Sequence, residues 1–305
     1  MKNKWVINIL LLIIMILVVI ACIVTYICLT NDVEIIERKQ ETSLFSQDNY
    51  PRIDGSTVTL PLAQAFKSAF TGININEIDV KHSKTHNAYV NLINGNTDLI
   101  LVTYPSEEER KLAEKNNVEL EIVPIVKDAF VFFVNKDNLI NNLSLNQIQS
   151  IYSGKVKNWK DVGGSDNEII AYQRPENSGS QTGMLELVMK GTKMMVPKTE
   201  TISQSMADII NVVSDYDNKE NAIGYSYYYY ATTMYTTDKM KLLSINGIEP
   251  TYENIQTGLY DLQTSYYAVI RKDEHENSNT RRLLNAMISE YGQNIAKEAG
   301  YVQNY

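Results

Sequence analysis

The sequence predicts an α/β protein with two lobes. From residue 50 to the C-terminus, short apolar stretches alternate with stretches whose apolar residues recur every three or four positions, the pattern of strands and helices in an α/β domain. Two hydroxyl-rich segments, residues 54–62 and 174–182, each precede such a helical pattern and are widely separated along the chain. We therefore expect two lobes, each contributing the start of a helix to one shared site.

The first elements follow from the apolar pattern. Ile53 opens the first predicted strand, and residues 61–70 form the first helix, where Pro61 suits the first turn because the N–H that it lacks would be unpaired there. Residues 78–80 are predicted to form a second strand, and residues 85–93 a helix. Residues 98–102 are a continuous apolar run, which is typical of a buried strand.

The later elements are predicted in the same way. Residues 122–126 and 129–134 are interpreted as two separate strands, and residues 266–270 as another. Residues 278–299 are predicted to form one C-terminal helix. The four tyrosines at 227–230 are interpreted as one buried side of a strand or helix rather than as a platform for a ligand.

The segment 174–182 has the composition of an anion site. It combines a permanent cation with hydroxyls and a flexible glycine, and an apolar run with helical spacing follows it (Arg174, Ser178, Gly179, Ser180 and Thr182). Backbone N–H groups at a helix start attract anions, and a guanidinium offers a planar pair of donors to an oxyanion. The same loop could also be an ordinary helix cap. The similar segment at 54–62 favours a ligand held between two helix starts.

A third segment carries a family resemblance. Residues 143–164, LSLNQIQSIYSGKVKNWKDVGG, resemble a hallmark of the second lobe in the substrate-binding protein of the high-affinity phosphate ABC transporter. The resemblance extends from about Tyr50 to the C-terminus. It implies a two-lobed type II periplasmic-binding-protein fold (a Venus flytrap), in which each lobe is a mixed sheet flanked by helices. Lobe 1 is expected to comprise residues 50–127 and 265–305, and lobe 2 residues 128–264.

The resemblance also implies a function and a site. We expect a binding protein, not an enzyme, that captures phosphate or a similar oxyanion and delivers it to ABC permease subunits. Carried over position by position, the implied ligand contacts come from both lobes: Thr59 and Leu60 with Ser56 and Thr57 close by, Thr85, Thr103, Arg174, Ser178, Gly179 and Ser180.

One of these positions departs from the family pattern. The family places an aspartate after the strand at 98–102, where it accepts a proton from phosphate, and this chain has Thr103 there. A carboxylate repels a fully deprotonated oxyanion, whereas a threonine can donate or accept a hydrogen bond. We therefore expect weaker discrimination between phosphate and sulfate, and a phosphate ester or another oxyanion remains open as the ligand.

The N-terminus predicts attachment to a membrane. Residues 5–29 are almost entirely apolar and long enough to cross a bilayer, with lysines before them and acidic residues after them, which places the rest of the chain outside the cell. Residues 1–30 are either an uncleaved signal anchor or a lipoprotein signal with Cys22 as the lipidated residue. The apolar run continues beyond Cys22, which favours the anchor. The polar residues 31–49 are predicted to be a spacer.

Composition excludes several other classes of function. A net charge of −8 argues against nucleic-acid binding. Both cysteines lie in the N-terminal segment, and His82, His86 and His275 lack the spacing of a metal site, so we expect neither metal nor cofactor. His82 and His86 are interpreted as exposed histidines at a helix start. No nucleophile elbow or acid–base pair indicates an enzyme. The alternative to transport is a two-lobe sensor or interaction module at the cell surface.

Overall fold

The computed structural model describes residues 15, 17–26, 43–214 and 220–304. Residues 17–26 are helical and exposed, and Cys22 among them is a free, exposed thiol. Within the described ranges, no helix has both the length and the apolar character needed to cross a membrane. Most of the predicted anchor and most of the predicted spacer lie outside the described residues, so the choice between an anchor and a lipidated Cys22 stays a prediction.

A mixed sheet of eight strands organises the described chain. Its main path runs through β1 (Ile53–Gly55), β2 (Leu99–Val102), β9 (Gln263–Arg271), β3 (Leu120–Asn135), β6 (Ala222–Tyr227) and β5 (Ile170–Ala171), while β7 (Met240–Leu242) and β10 (Val302–Gln303) also pair with β3. Strands β1 and β2 are parallel, as are β5 and β6, and β9 is antiparallel to both of its neighbours. Two short strands, β4 (Asn142–Leu143) and β8 (Ser244–Ile245), form a separate pair.

Strand β3 joins the two halves of this sheet. Two strands were expected here, but the chain forms one strand of 16 residues. Its first part, to Ala129, pairs with β9, and its second part, from Phe130, pairs with β6. The polar residues Lys127 and Asp128 suggested a break, yet the antiparallel ladder continues through them. We call the two parts of the structure on either side of this change the first and second halves; the lobe boundaries themselves stay predictions.

Helices pack on both halves of the sheet. They are α1 (Leu60–Thr71), α2 (Thr85–Ile93), α3 (Glu107–Lys115), α4 (Leu145–Tyr152), α5 (Gly179–Gly183), α6 (Met206–Ser214), α7 (Tyr252–Thr257), α8 (Asn279–Ile288) and α9 (Glu290–Glu298). Helix α5 continues into a π-helical segment, Met184–Met189. Helix α3 begins with a reciprocal capping box, in which Ser106 and Glu109 each accept a hydrogen bond from the other's backbone N–H.

Two further predicted elements differ from the structure. Residues 78–80 form no strand, because Ile78 and Val80 reach the core from an unpaired segment after a short turn. The predicted C-terminal helix is two helices, because the backbone of Ser289 is extended and its hydroxyl caps the start of α9 by accepting from the Gly292 N–H at 3.1 Å. The spacing of apolar residues does not reveal the break at Ser289, since buried residues recur every three or four positions in both helices.

An aromatic cluster lies in the core below the loop that begins at Arg174. Phe130, Phe132, Tyr152 and Tyr225 pack with ring centroids 5.4 to 6.2 Å apart. The Tyr225 hydroxyl reaches the surface of this cluster and accepts a hydrogen bond from the Arg174 N–H at 2.9 Å. The packed sheet of the second half therefore sets the position of this loop.

Candidate functional site

A cavity of about 450 Å³ lies between the two halves. The first half contributes loop residues and the start of α2, and the second half contributes the loop before α5 and the approach to α6. Its lining comprises Ser56, Thr57, Val58, Lys84, Thr85, His86, Asn87, Thr103, Arg174, Pro175, Glu176, Asn177, Ser178, Gly179, Ser180, Gln204, Ser205, Met206, Tyr227 and Tyr230. Eight of the ten predicted ligand residues are in this set, and two are not.

The two exceptions are Thr59 and Leu60, for which the prediction needs correction. The Thr59 hydroxyl is fully buried and donates to the Leu101 carbonyl at 2.6 Å. The Leu60 N–H donates to the Thr57 carbonyl, because residues 57–59 form a 3₁₀ turn that leads into α1. Neither donor is free for a ligand. The first half presents Ser56, Thr57 and Val58 to the cavity instead.

Arg174 supplies a buried positive charge to the cavity wall. Only 9% of the residue is exposed, and within the described residues no carboxylate pairs with it. Its Nη1 donates to the Ser203 carbonyl at 2.6 Å, and its Nε to the Ser180 hydroxyl at 3.3 Å. Burial lowers the pKa of Arg174, yet a guanidinium does not deprotonate in proteins. A buried cation of this kind is favourable only when an anion accompanies it.

Gly179 brings the two halves into contact. A Cβ at this position would lie 2.8 Å from Thr85 Oγ1 and 3.0 Å from Thr103 Oγ1, both of which belong to the first half. The φ of Gly179 is not in the left-handed region, so glycine is required by close approach and not by backbone conformation. The Gly179 carbonyl accepts from the Tyr227 hydroxyl at 2.8 Å. The hydroxyl of Ser178 caps α5 by accepting from the Gln181 N–H, so this loop is a helix cap and a cavity wall together.

Asp54 supports the loop that leads into α2. Its buried carboxylate accepts from the backbone N–H and hydroxyl of Ser83, at 2.7 and 2.6 Å, and from the Asn91 amide at 2.8 Å. Burial alone would raise the pKa of Asp54, but these hydrogen bonds outweigh it and the pKa lies below its usual value. Lys84, which follows Ser83, has φ 74° and ψ 162°, a backbone region almost restricted to glycine. Asp54 thus holds a strained turn that presents Thr85 to the cavity.

The two histidines near α2 are more enclosed than the sequence suggested. Nδ1 of His82 lies 2.7 Å from the Ser56 carbonyl, and burial lowers the pKa of this imidazole. His86 lines the cavity, and its Nδ1 lies 3.3 Å from Oε1 of the buried Glu109. Among the described residues, no three His, Cys, Asp or Glu side chains are placed to hold a metal ion.

Several lining residues were missed from the sequence. Glu176 and Asn177 could have been included as neighbours of Arg174 in the same loop. Tyr227 and Tyr230 were interpreted only as buried packing, and they are buried, but both also reach the cavity. Residues 204–206 carry no local pattern that points to a site, and only the fold brings them there.

Comparison with known proteins agrees with the fold. The model of the PBP superfamily domain matches residues 46–293. The chain belongs to the PBP superfamily. It is 27% identical to the phosphate-binding protein PstS of Staphylococcus saprophyticus over 259 residues, which cover 82% of this chain and 78% of that protein. Over 168 residues, 55% of this chain and 50% of the relative, it is 30% identical to PstS of Bacillus subtilis.

Solved structures of phosphate receptors have the same fold. One is a protein assigned as a phosphate ABC transporter substrate-binding protein, with bound phosphate, from Clostridium perfringens, at a TM-score of 0.67 and 26% identity over 83% of this chain and 98% of that one. An ABC-type phosphate transport receptor from Vibrio cholerae superposes with a TM-score of 0.64 at 22% identity, covering 82% and 98% of the two chains. The family resemblance predicted from the sequence is confirmed.

Proposed function

We propose that this protein captures phosphate in the cavity between its two halves and delivers it to an ABC permease at the outer face of a membrane. The observation that carries the proposal is the Arg174 guanidinium, buried in the cavity wall with no carboxylate partner among the described residues. The relatives named above are phosphate-binding proteins, which supports phosphate over other anions.

The lining groups suit a small tetrahedral oxyanion. On one side lie the Arg174 guanidinium and the loop 178–180, and on the other lie the hydroxyls of Ser56, Thr57 and Thr85. Hydroxyls and backbone N–H groups can replace the water that an oxyanion loses on entry, and the guanidinium neutralises part of its charge. None of these roles requires a bond in the ligand to break, so the site is suited to binding and release.

Release requires the two halves to separate. The contact of Gly179 with Thr85 and Thr103 encloses the ligand, and it forms only when the halves meet. Strand β3 pairs with β9 in the first half and with β6 in the second half, so we place the hinge where it changes partner. Phosphate would stabilise the closed arrangement because it binds to donors from both sides.

A thermal-shift titration of the full-length protein tests the proposal. Phosphate, sulfate, molybdate and glycerol phosphate are compared at equal concentrations. A ligand at 100 times its Kd adds about 2.7 kcal/mol to the stability of the native state. For a chain of this size, each kcal/mol raises the melting temperature by roughly 2–4 °C. We expect the largest rise with phosphate. If no anion raises the melting temperature, the alternative of a sensor or interaction module gains support instead.

A further inference from the structure

Donor groups alone cannot explain how a site chooses between phosphate and sulfate. Arg174, Lys84 and the backbone N–H groups of the cavity can only donate, and they serve the oxygens of either anion. Near neutral pH, phosphate keeps at least one proton and sulfate keeps none. A group that accepts a hydrogen bond therefore favours phosphate, because it has nothing to accept from sulfate.

His86 is placed to be such an acceptor. It is the second residue of α2, next to Thr85, and it lines the cavity. Its Nδ1 is buried and lies 3.3 Å from Glu109 Oε1, while 34% of the side chain remains exposed. Nε2 is not one of the buried, unpartnered side-chain atoms of the described residues, so we take it to be the ring nitrogen that a ligand in the cavity can reach.

Glu109 determines where the imidazole carries its proton. The residue is 1% exposed, and its Oε2 accepts from the Ser106 N–H at 2.8 Å. It lies in the first turn of α3, where the helix dipole favours an ionised carboxylate. Burial raises the pKa of Glu109, so its ionised form depends on the donors that meet it. Neither Glu109 Oε1 nor His86 Nδ1 has a hydrogen-bond partner among the described residues, and the two atoms lie 3.3 Å apart. The carboxylate therefore favours the neutral tautomer with its proton on Nδ1, which leaves a lone pair on Nε2.

We propose that His86, positioned by Glu109, is a specificity-determining residue whose neutral Nε2 accepts the hydrogen bond of the proton carried by hydrogen phosphate. The inference rests on the proposed function and deepens it. It also supplies an acceptor in a site where Thr103 stands in place of a carboxylate. Thr103 Oγ1 is buried and makes no well-formed hydrogen bond within the described chain.

The proposal predicts that the preference for phosphate depends on an acceptor at position 86. Without the imidazole, the proton of hydrogen phosphate loses its partner in the cavity wall, whereas sulfate has no proton that needs one. The preference is compared at one fixed pH, because phosphate itself exchanges a proton near neutral pH. Three other charged residues line the same cavity, Lys84 before α2 and Arg174 and Glu176 on the facing loop. They are unchanged in variants of His86, so a change in selectivity reports on the imidazole.

Calorimetric titration of the full-length protein with phosphate and with sulfate, at one fixed pH, tests this inference. His86→Ala should lower the ratio of the phosphate affinity to the sulfate affinity about tenfold, the effect of one hydrogen bond lost by phosphate alone. Glu109→Gln should lower this ratio by less, because the imidazole stays but a neutral amide no longer fixes its tautomer.

The matched control is His275→Ala, since His275 lies in an exposed turn where its Nδ1 accepts from the Asn277 N–H. This variant should keep the affinity ratio of the parent. A His86→Ala variant that binds phosphate and sulfate with the affinity ratio of the parent would overturn the inference and leave the proposed function intact. Failure of the parent to bind either anion would overturn the proposed function and the inference together. Melting curves of each variant show that the fold is retained.

Discussion

Arg174 and Asp128 are both buried charged side chains without an ion-pair partner among the described residues, but they face different surroundings. Arg174 lines the cavity, whereas Asp128 is enclosed inside β3 beside Tyr227, Tyr229 and Tyr266. Burial lowers the pKa of Arg174 without discharging it. Burial raises the pKa of Asp128 to about 7, although the N–H groups of Ala129 and Tyr229 oppose this effect.

The difference shows two ways in which a fold accommodates a buried charge. A charge that borders a cavity can be compensated by an ion from solution, which makes it a binding site. A charge that is sealed in the core can only be removed by a proton, which makes it a source of pH-dependent stability. The sequence does not distinguish the two cases, because the cavity exists only after the chain has folded.

The largest effect is expected from removing the charge that faces the cavity. Arg174→Ala should weaken phosphate binding by about 2–4 kcal/mol, because the anion loses a desolvated, charged donor. The affinity is measured by calorimetry at constant pH and ionic strength. Arg52→Ala is the control, since Arg52 is exposed and pairs with Asp98 outside the cavity lining. Equal affinities for the parent and Arg174→Ala would mean that Arg174 is not part of the ligand site.

The second-largest effect on phosphate affinity is expected from a change that prevents the two halves from closing at Gly179. Gly179→Val should weaken binding by about 1–3 kcal/mol, because its Cβ would overlap the hydroxyls of Thr85 and Thr103 and hold the halves apart. The dissociation constant and the melting temperature without ligand are measured separately. Gly95→Ala is the control: Gly95 has φ 75° and open space around it, so this change should lower stability and leave affinity unaltered. An unchanged affinity in Gly179→Val would argue that the contact does not accompany ligand binding.

The buried carboxyl group of Asp128 should affect the stability of the fold and not the binding of phosphate. The pKa of Asp128 is raised on folding, so the folded state gains stability that is fully present below about pH 4 and is lost as the pH rises through about 7. Asp128→Asn removes the ionisable group. We expect it to raise the melting temperature by several degrees at pH 8, about 1–2 kcal/mol, and to give no gain at pH 4.

Melting curves from pH 4 to pH 8 measure this effect. Asp79→Asn is the control, because Asp79 is exposed and pairs weakly with Lys81. If Asp128→Asn melted below the parent at pH 8, the buried carboxylate would be stabilised by its surroundings, and the contrast with Arg174 would fail.

The smallest effect is expected from an exposed pair of charges. Arg110 on α3 lies 3.6 Å from Glu186 in the π-helical segment after α5, so this ion pair joins the two halves at the surface. Glu186→Gln should weaken phosphate binding by about 0.2–1 kcal/mol at low salt and have no effect at high salt. Glu107→Gln removes a pair that lies within α3 and should leave affinity unchanged at any salt concentration. A salt-independent loss in Glu186→Gln would indicate another role for this residue.

Much of the fold could be predicted because the patterns that indicate it lie within short segments of the sequence. The helix at residues 85–93 and the buried strand β2 follow from the spacing of apolar residues, and both are where the sequence places them. The loop 174–180 was recognisable because a cation, hydroxyls and a glycine occur together in a short segment. These patterns involve only neighbouring residues, so they can be identified without knowing how the rest of the chain folds.

What could not be predicted depends on distant partners. The sequence places Thr59 in the site, but its hydroxyl donates to Leu101, 42 residues away, and only the pairing of β1 with β2 brings the two together. His86 lines the cavity and contacts Glu109 on another helix, and neither feature is visible in the sequence. Residues 204–206 reach the cavity from a segment with no distinguishing composition. In each case, the role of a residue is decided by tertiary contacts.

The strand order also constrains how the chain can fold. Strand β9, residues 263–271, lies between β2 and β3, so the first half of the sheet cannot complete its backbone hydrogen bonds until this late segment is available. Until then, β2, which is fully buried in the finished protein, keeps an unpaired apolar edge. Pairing across such long sequence separation is slow, and open edges of this kind favour aggregation. A chain that ends before residue 263 should therefore accumulate as aggregate, because β2 and β3 then lack the strand that lies between them.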